Sequence, residues 1–106
     1  TYFTEKRFDL LVAENKGAIV GMLLHYEGYS TWKGPFMYVE DFVVTNDYRR
    51  KGIGRLLFNA AITEAKQKGL AFVKWQVLDW NIPAISFYEQ FGITKDDSWI
   101  DCKKYI

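Results

Sequence analysis

The sequence predicts a mixed α/β domain, a sheet with helices packed on it, in the order β-β-β-α-β-α-β. Three observations lead there. Before Asp47, three apolar stretches rich in β-branched and aromatic residues are separated by short polar or glycine-containing segments. From Ile53 the apolar spacing becomes helical. After that helix, strand-like and helix-like stretches alternate. At 106 residues, 49% hydrophobic and 18% aromatic, the chain can bury one core without disulfides or metals, and this composition excludes intrinsic disorder. With no repeat or linker visible, residues 1–106 read as a single domain.

Phe8 to Ala13 is the expected first strand, Glu14-Asn15-Lys16-Gly17 a turn, and Ala18 to Tyr26 the second strand of a hairpin. Gly28 to Pro35, with two glycines, a serine and a proline, reads as a loop. Phe36 to Thr45 is aromatic and β-branched and reads as a central strand. Between Ile53 and Lys68, a helical face collects Ile53, Leu56, Leu57, Ala60, Ala61 and Ala65. Lys66 and Lys68 suit its C-terminal dipole, and Gly69 stops it. Ala71 to Leu78 is the next strand. Ala84, Phe87, Tyr88 and Phe91, spaced i, i+3, i+4, i+7, predict a helix from Pro83 to Phe91 ended by Gly92. A last strand is expected from Trp99 to Tyr105.

Composition also excludes function classes. A formal net charge of +1 gives no whole-molecule attraction to nucleic acid or an acidic membrane. The single cysteine, Cys102, rules out an intrachain disulfide and a cysteine-rich zinc site, and the single histidine, His25, rules out a multi-histidine site, so no metal is expected. Cys102 reads as a packed thiol and His25 as a strand-end residue rather than catalysts. No apolar run approaches the roughly 20 residues that span a bilayer, and the expected setting is soluble and cytoplasmic.

The segment richest in chemistry is Arg49-Arg50-Lys51-Gly52-Ile53-Gly54-Arg55, between the third strand and the first helix. Two glycines without a Cβ let a ligand approach the backbone, and a helix start offers N–H groups and the positive dipole end. Four cations against Asp47 make a local balance of +3. This describes an anion cradle suited to phosphate, though it matches neither the dinucleotide fingerprint nor the Walker loop. A glycine turn with solvated charges is the alternative.

Arg49-x-x-Gly52-x-Gly54 resembles the R/Q-x-x-G-x-G/A signature of the GCN5-related N-acetyltransferases, and Asn81-Ile82-Pro83-Ala84-Ile85-Ser86-Phe87-Tyr88 resembles that family's N-x-x-A-x-x-F-Y helix. Within the family, Glu40-Asp41-Phe42, Asp47-Tyr48-Arg49 and Trp80-Asn81-Ile82-Pro83 are most similar to the diamine (spermidine/spermine) acetyltransferases. Arg50 stands where the family commonly has glycine.

The resemblance implies the acyl-CoA N-acyltransferase fold, lacking here the family's N-terminal β-α-α segment before Thr1. It implies acetyl-CoA as co-substrate, its pyrophosphate on the amides of Arg50, Lys51, Gly52, Ile53, Gly54 and Arg55, and its pantetheine arm along Phe42, Val43 and Val44. It also implies a bulge near Glu40 to Phe42, where two strands splay. Asn81 would hold the cofactor arm, with Ala84 leaving room beside it. Tyr88 matches the general acid, its phenol protonated at neutral pH with a reference pKa of about 10; without the motif it would read as a core aromatic. Glu40 matches the carboxylate that binds the cationic amine and takes its proton, and Asp41 has an open role in the substrate site. Trp32 and Glu27 could line the amine site, Trp32 by cation–π contact. The expected activity is direct acetyl transfer to a primary amine of a small cationic substrate, in a homodimer without nucleic-acid or membrane partners. Acetylation of a protein or peptide, or a CoA-binding module without turnover, are the alternatives.

Overall fold

The computed structural model describes residues 8–49 and 51–106. Arg50, one member of the expected anion cradle, therefore lies outside the described residues.

Lys16 and Gly17 both have positive φ, 52° and 82°, the two-residue hairpin geometry whose twist matches the strands it joins. Across it β1 (Asp9–Asn15) pairs antiparallel with β2 (Ala18–Ser30), and β2 pairs antiparallel with β3 (Gly34–Val44). A 3₁₀ turn (Asn46–Tyr48) and helix α1 (Ile53–Gln67) lead to β4 (Val73–Lys74), which joins β3 in parallel to complete the order β1-β2-β3-β4. Helix α2 (Ile82–Glu89) follows. The mixed α/β class is as the sequence predicts.

Three expected boundaries differ. The loop over 28–35 is only a tight turn, because β2 runs on to Ser30 and β3 begins at Gly34. Gly28 lies opposite Phe36, and a Cβ on it would come within 2.5 Å of the Phe36 ring, which stacks on Phe72 at 4.7 Å. The residue that reads as a loop marker is a close-approach glycine within a strand. Ser30 Oγ then accepts from the N–H groups of Trp32 and Lys33 and closes the turn.

The strand expected over 71–78 shrinks to Val73–Lys74. Ala71 N donates to Pro35 O at 2.8 Å and Met37 N to Phe72 O at 3.0 Å, so the segment docks on β3 and then leaves it. Residues 99–105 form no strand: they hold no regular structure, Trp99, Ile100 and Tyr105 are exposed, and the Cys102 thiol, expected to be packed, is exposed with them. Their apolar residues come in adjacent pairs, Trp99-Ile100 and Tyr105-Ile106, which no half-buried pleat can place on one face.

The chain divides into two compact units, one through Gln76 and one from Val77 to Ile106. The buried core lies in the first, where Val20, Leu23, Met37 and Val39 of the sheet meet Leu57, Phe58, Ala61 and Ala65 of α1. Phe58 takes the place expected for Leu56, which is 70% exposed. Its ring is bracketed by Phe42, stacked at 5.8 Å, and by Trp75, edge-on at 5.1 Å. In the second unit Asn81 caps α2, Phe87 packs on Phe91 at 5.2 Å, and Lys95 pairs with Glu89 at 3.1 Å.

Phe58→Ala removes the ring that three segments share, so it should destabilise the fold by about 3–5 kcal/mol. Urea denaturation should show this as a lower midpoint at unchanged slope.

Candidate functional site

The site begins with one unpaired residue in β3. Asp41 pairs with Leu24 and Val39 with His25, so Glu40 has no opposite number in the ladder. This is a β-bulge, and it reverses the alternation of the strand. Met37 and Val39 point toward α1 before it, and Phe42 reaches Phe58 of α1 after it. Glu40 and Asp41, flanked by inward-facing Val39 and Phe42, are therefore both exposed on the face away from α1. The face of Asp41, open from the sequence alone, follows from the bulge.

The same face carries a pair that sequence reading missed. Tyr26 and Tyr38 are register partners, with ring centroids 5.3 Å apart. Burial pushes the Tyr26 phenol above its ordinary range, and the charge of Glu40 adds to the effect. Glu40 thus has a phenol beside it. The signal in the sequence was weak, since the importance of Tyr26 depends on the cross-strand register. Glu27 pairs with Met37 and so lies on the opposite face from Glu40, while Trp32, 94% exposed, stands at the tip of the β2–β3 turn.

Next to the bulge the sheet opens. The parallel ladder of β3 with β4 runs from Met37 opposite Val73 to Tyr38 opposite Lys74 and ends there. The buried ring of Phe58 sits between Phe42 and Trp75, the residues just past the points where the two strands part. The ladder ends where the resemblance expects the two strands to splay, and Phe58 packs against the residues that follow on both.

Beyond β3 the chain turns tightly into α1. Thr45 N donates to Val20 O, Tyr48 N to Thr45 O, and the Arg49 Nε to Val44 O at 3.0 Å. Asn15 Nδ2 donates to the Tyr48 hydroxyl at 2.9 Å, while Lys51 Nζ lies 5.2 Å from the Tyr48 ring centroid. Tyr48 is therefore the strut that ties this turn to β1. Gly52, at φ 82°, is the N-cap of α1 and provides no side-chain cap, and no acidic residue stands in the first turn. A Cβ at Gly52 would meet nothing within 4 Å in the chain. Glycine is required there by its left-handed backbone rather than by crowding within the protein. Lys51, Gly52, Ile53, Gly54 and Arg55 form an uncapped, positively charged helix start, which fits a phosphate group.

Within the second unit, Asn81 Oδ1 accepts from Ala84 N at 3.3 Å and so fixes the start of α2, with Pro83 in its first turn. Tyr88 is half-buried on this helix, its ring 5.4 Å from that of Phe87. Burial raises its phenol pKa above the ordinary 10.0, so it is protonated at neutral pH. Asn81, Ala84 and Tyr88 thus share one short helix and its cap.

An uncapped basic turn after a bulged strand, in a mixed α/β fold, is the arrangement that the resemblance to the acyl-CoA-dependent N-acetyltransferases implies. A model of the Acetyltransferase (GNAT) family matches residues 2–93, and the chain belongs to that family. It is 38% identical over 82 residues to a thialysine N-epsilon-acetyltransferase of Caenorhabditis elegans, covering 74% of this chain and 51% of that protein. It is also 38% identical over 91 residues to an L-ornithine N5-acetyltransferase of Arabidopsis thaliana, covering 84% and 40% respectively. The chain therefore spans about half the length of the first relative and less of the second. An aminoglycoside acetyltransferase from an uncultured soil sample superposes with a TM-score of 0.82 at 26% identity, over 94% of this chain and 66% of that one.

Gly52→Ala should cost about 1–2 kcal/mol through its left-handed backbone, and chemical denaturation will measure this. The Tyr88 phenol should ionise above its ordinary 10.0. Its folded pKa is raised, so the associated stability is complete below that value and is lost as pH rises through the shifted one. The difference in ultraviolet titration between the parent chain and Tyr88→Phe isolates this group.

Proposed function

We propose that this chain carries the acetyl-CoA site and the reacting groups of an N-acetyltransferase that acetylates a primary amine of a small cationic substrate. The single observation that carries this reading is the bulge at Glu40 beside the β3–β4 splay. It presents two carboxylates on one face of the sheet and opens the strand edge next to them. The uncapped, basic start of α1 supports a phosphate-bearing co-substrate, with Lys51 to Arg55 holding its pyrophosphate and Phe42 to Val44 lying along its arm. Acetyl-CoA supplies the acetyl group as an activated thioester.

The roles of the side chains follow from their chemistry. An ammonium cannot attack a carbonyl, so the amine must lose a proton first. Glu40 attracts the cation and accepts that proton, directly or through water, with Asp41 adding negative charge on the same face. The aromatic pair Tyr26–Tyr38 gives the amine an apolar wall, and Trp32 offers a further aromatic face. As the new C–N bond forms and the C–S bond breaks, the departing sulfur needs a proton. Tyr88, held protonated by burial, donates it. A backbone N–H group at the bulge would stabilise the negative charge that develops on the carbonyl oxygen.

Thialysine and ornithine, named for the relatives, each end in a primary amine on a short chain, which supports lysine-like amino acids as well as diamines. The testing experiment is acetyl-CoA consumption by this chain across thialysine, ornithine, lysine, spermidine and N-terminal peptides. Turnover is expected with the free amines and not with the peptides. Tyr88→Phe should lower kcat about a hundredfold or more while leaving acetyl-CoA affinity nearly unchanged. Glu40→Gln should raise KM for the amine, most strongly at low pH. A pH profile identical to that of the parent would remove Glu40 from its role.

A further inference from the structure

On the α1 side of the sheet, away from Glu40, a second group of polar residues meets. We propose that Asp9, His25 and Glu64 form a binding site for one divalent cation of the zinc class. The three come from three elements. Asp9 and His25 are register partners on β1 and β2, and Glu64 of α1 packs over them. One ligand atom from each lies within 4.8 Å of the other two.

His25 lies inside β2 and not at a strand end; it is 1% exposed, the one buried polar residue among the described residues, in a core that includes Leu23, Val39, Leu57, Phe58 and Ala61. Its Nε2 is 3.0 Å from Glu64 Oε2. At that separation the two atoms would form an ion pair if the ring were protonated, but they make no hydrogen bond. Two buried polar atoms that converge without bonding each other are unusual in a folded chain. Both have the disposition of ligands to a common centre.

Charge supports the same conclusion. Lys68 Nζ stands 3.7 Å from Asp9 Oδ2 and 3.6 Å from Glu64 Oε2, attracted to both and hydrogen-bonded at neither distance. The two carboxylates thus already attract a cation. Lys68 is 41% exposed on its side chain, and its flexible stem can withdraw the ammonium into water when a more highly charged ion arrives.

The donor set selects the ion. One imidazole nitrogen with two carboxylate oxygens suits zinc and its neighbours, whereas magnesium and calcium favour oxygen alone. Ligand atoms at roughly 2.0–2.2 Å from zinc stand somewhat over 3 Å apart in a tetrahedral site. The His25–Glu64 separation of 3.0 Å is already near this value. Asp9, half-exposed at the first residue of β1, is the ligand that must close in. Three protein ligands leave one position for water.

The test is calorimetric titration of zinc and of magnesium into the 106-residue chain carrying Cys102→Ser, which removes the exposed thiol as a competing ligand. The expected result is one zinc per chain, with no binding of magnesium at the same concentrations. Glu64→Gln should weaken zinc binding by at least about tenfold, and Lys68→Met should tighten it. Cobalt in place of zinc should give visible absorption that is lost in Glu64→Gln. His25→Gln is the direct variant. Glu64→Gln and Lys68→Met keep the test decisive if that core change prevents folding, because both alter partly exposed side chains. Absence of saturable one-to-one binding, magnesium binding as strong as zinc, or zinc affinity unchanged in Glu64→Gln would overturn the site and leave a purely structural polar cluster.

Discussion

Most of what distinguishes the first unit depends on one extra residue in a ladder. The sheet needs β3 to offer its apolar side chains to α1 along its whole length, and a regular pleat would do that with every second residue. Inserting Glu40 without a partner shifts the alternation by one. Val39 and Phe42 can then both face the helix, while the two residues between them, both acidic, face the other way. A regular strand would have to turn Asp41 toward α1. The bulge thus solves a packing problem and creates the acidic patch at once.

Helix α1 holds the consequences together. Phe58 fills the floor where β3 and the segment after β4 separate, so the splay is backed by packed aromatic rings and does not open onto a void. The start of the same helix is reached through the Arg49–Val44, Tyr48–Thr45 and Asn15–Tyr48 hydrogen bonds, which tether the glycine turn to strands on both sides of β2. The basic helix start is therefore referenced to the end of β3 and to β1. Such fixed relative placement is what lets backbone groups serve as a binding site.

Much of this was legible in the sequence because it is encoded over short ranges. Lys16-Gly17, the helical spacing from Ile53 to Ala65 and the Asn81–Pro83 helix start each declare themselves within a few residues. The splay and the bulge were expected from the motif around Glu40, and the structure assigns the bulge to that residue. What failed depends on partners distant in the chain. Gly28 looks the same in sequence whether it ends a strand or admits the Phe36 ring. The length of β4 is set by how far β3 stays alongside. The Tyr26–Tyr38 pair and the meeting of Asp9 with His25 exist only through register. Residues 99–105 read as a strand from apolar content, although their apolar residues lack the alternation a pleat requires.

The brevity of β4 has a further consequence, in where the sheet can open. β1, β2 and β3 are neighbours along the chain, joined by turns of a few residues, and close at little entropic cost. The β3–β4 contact closes a loop that spans the whole of α1, and its ladder has two residue pairs. Its short ladder and long loop make it the seam of the sheet that can open locally at least cost. The seam beside Glu40 is thus also where the sheet can widen at least cost, without disturbing the strands that define the bulge.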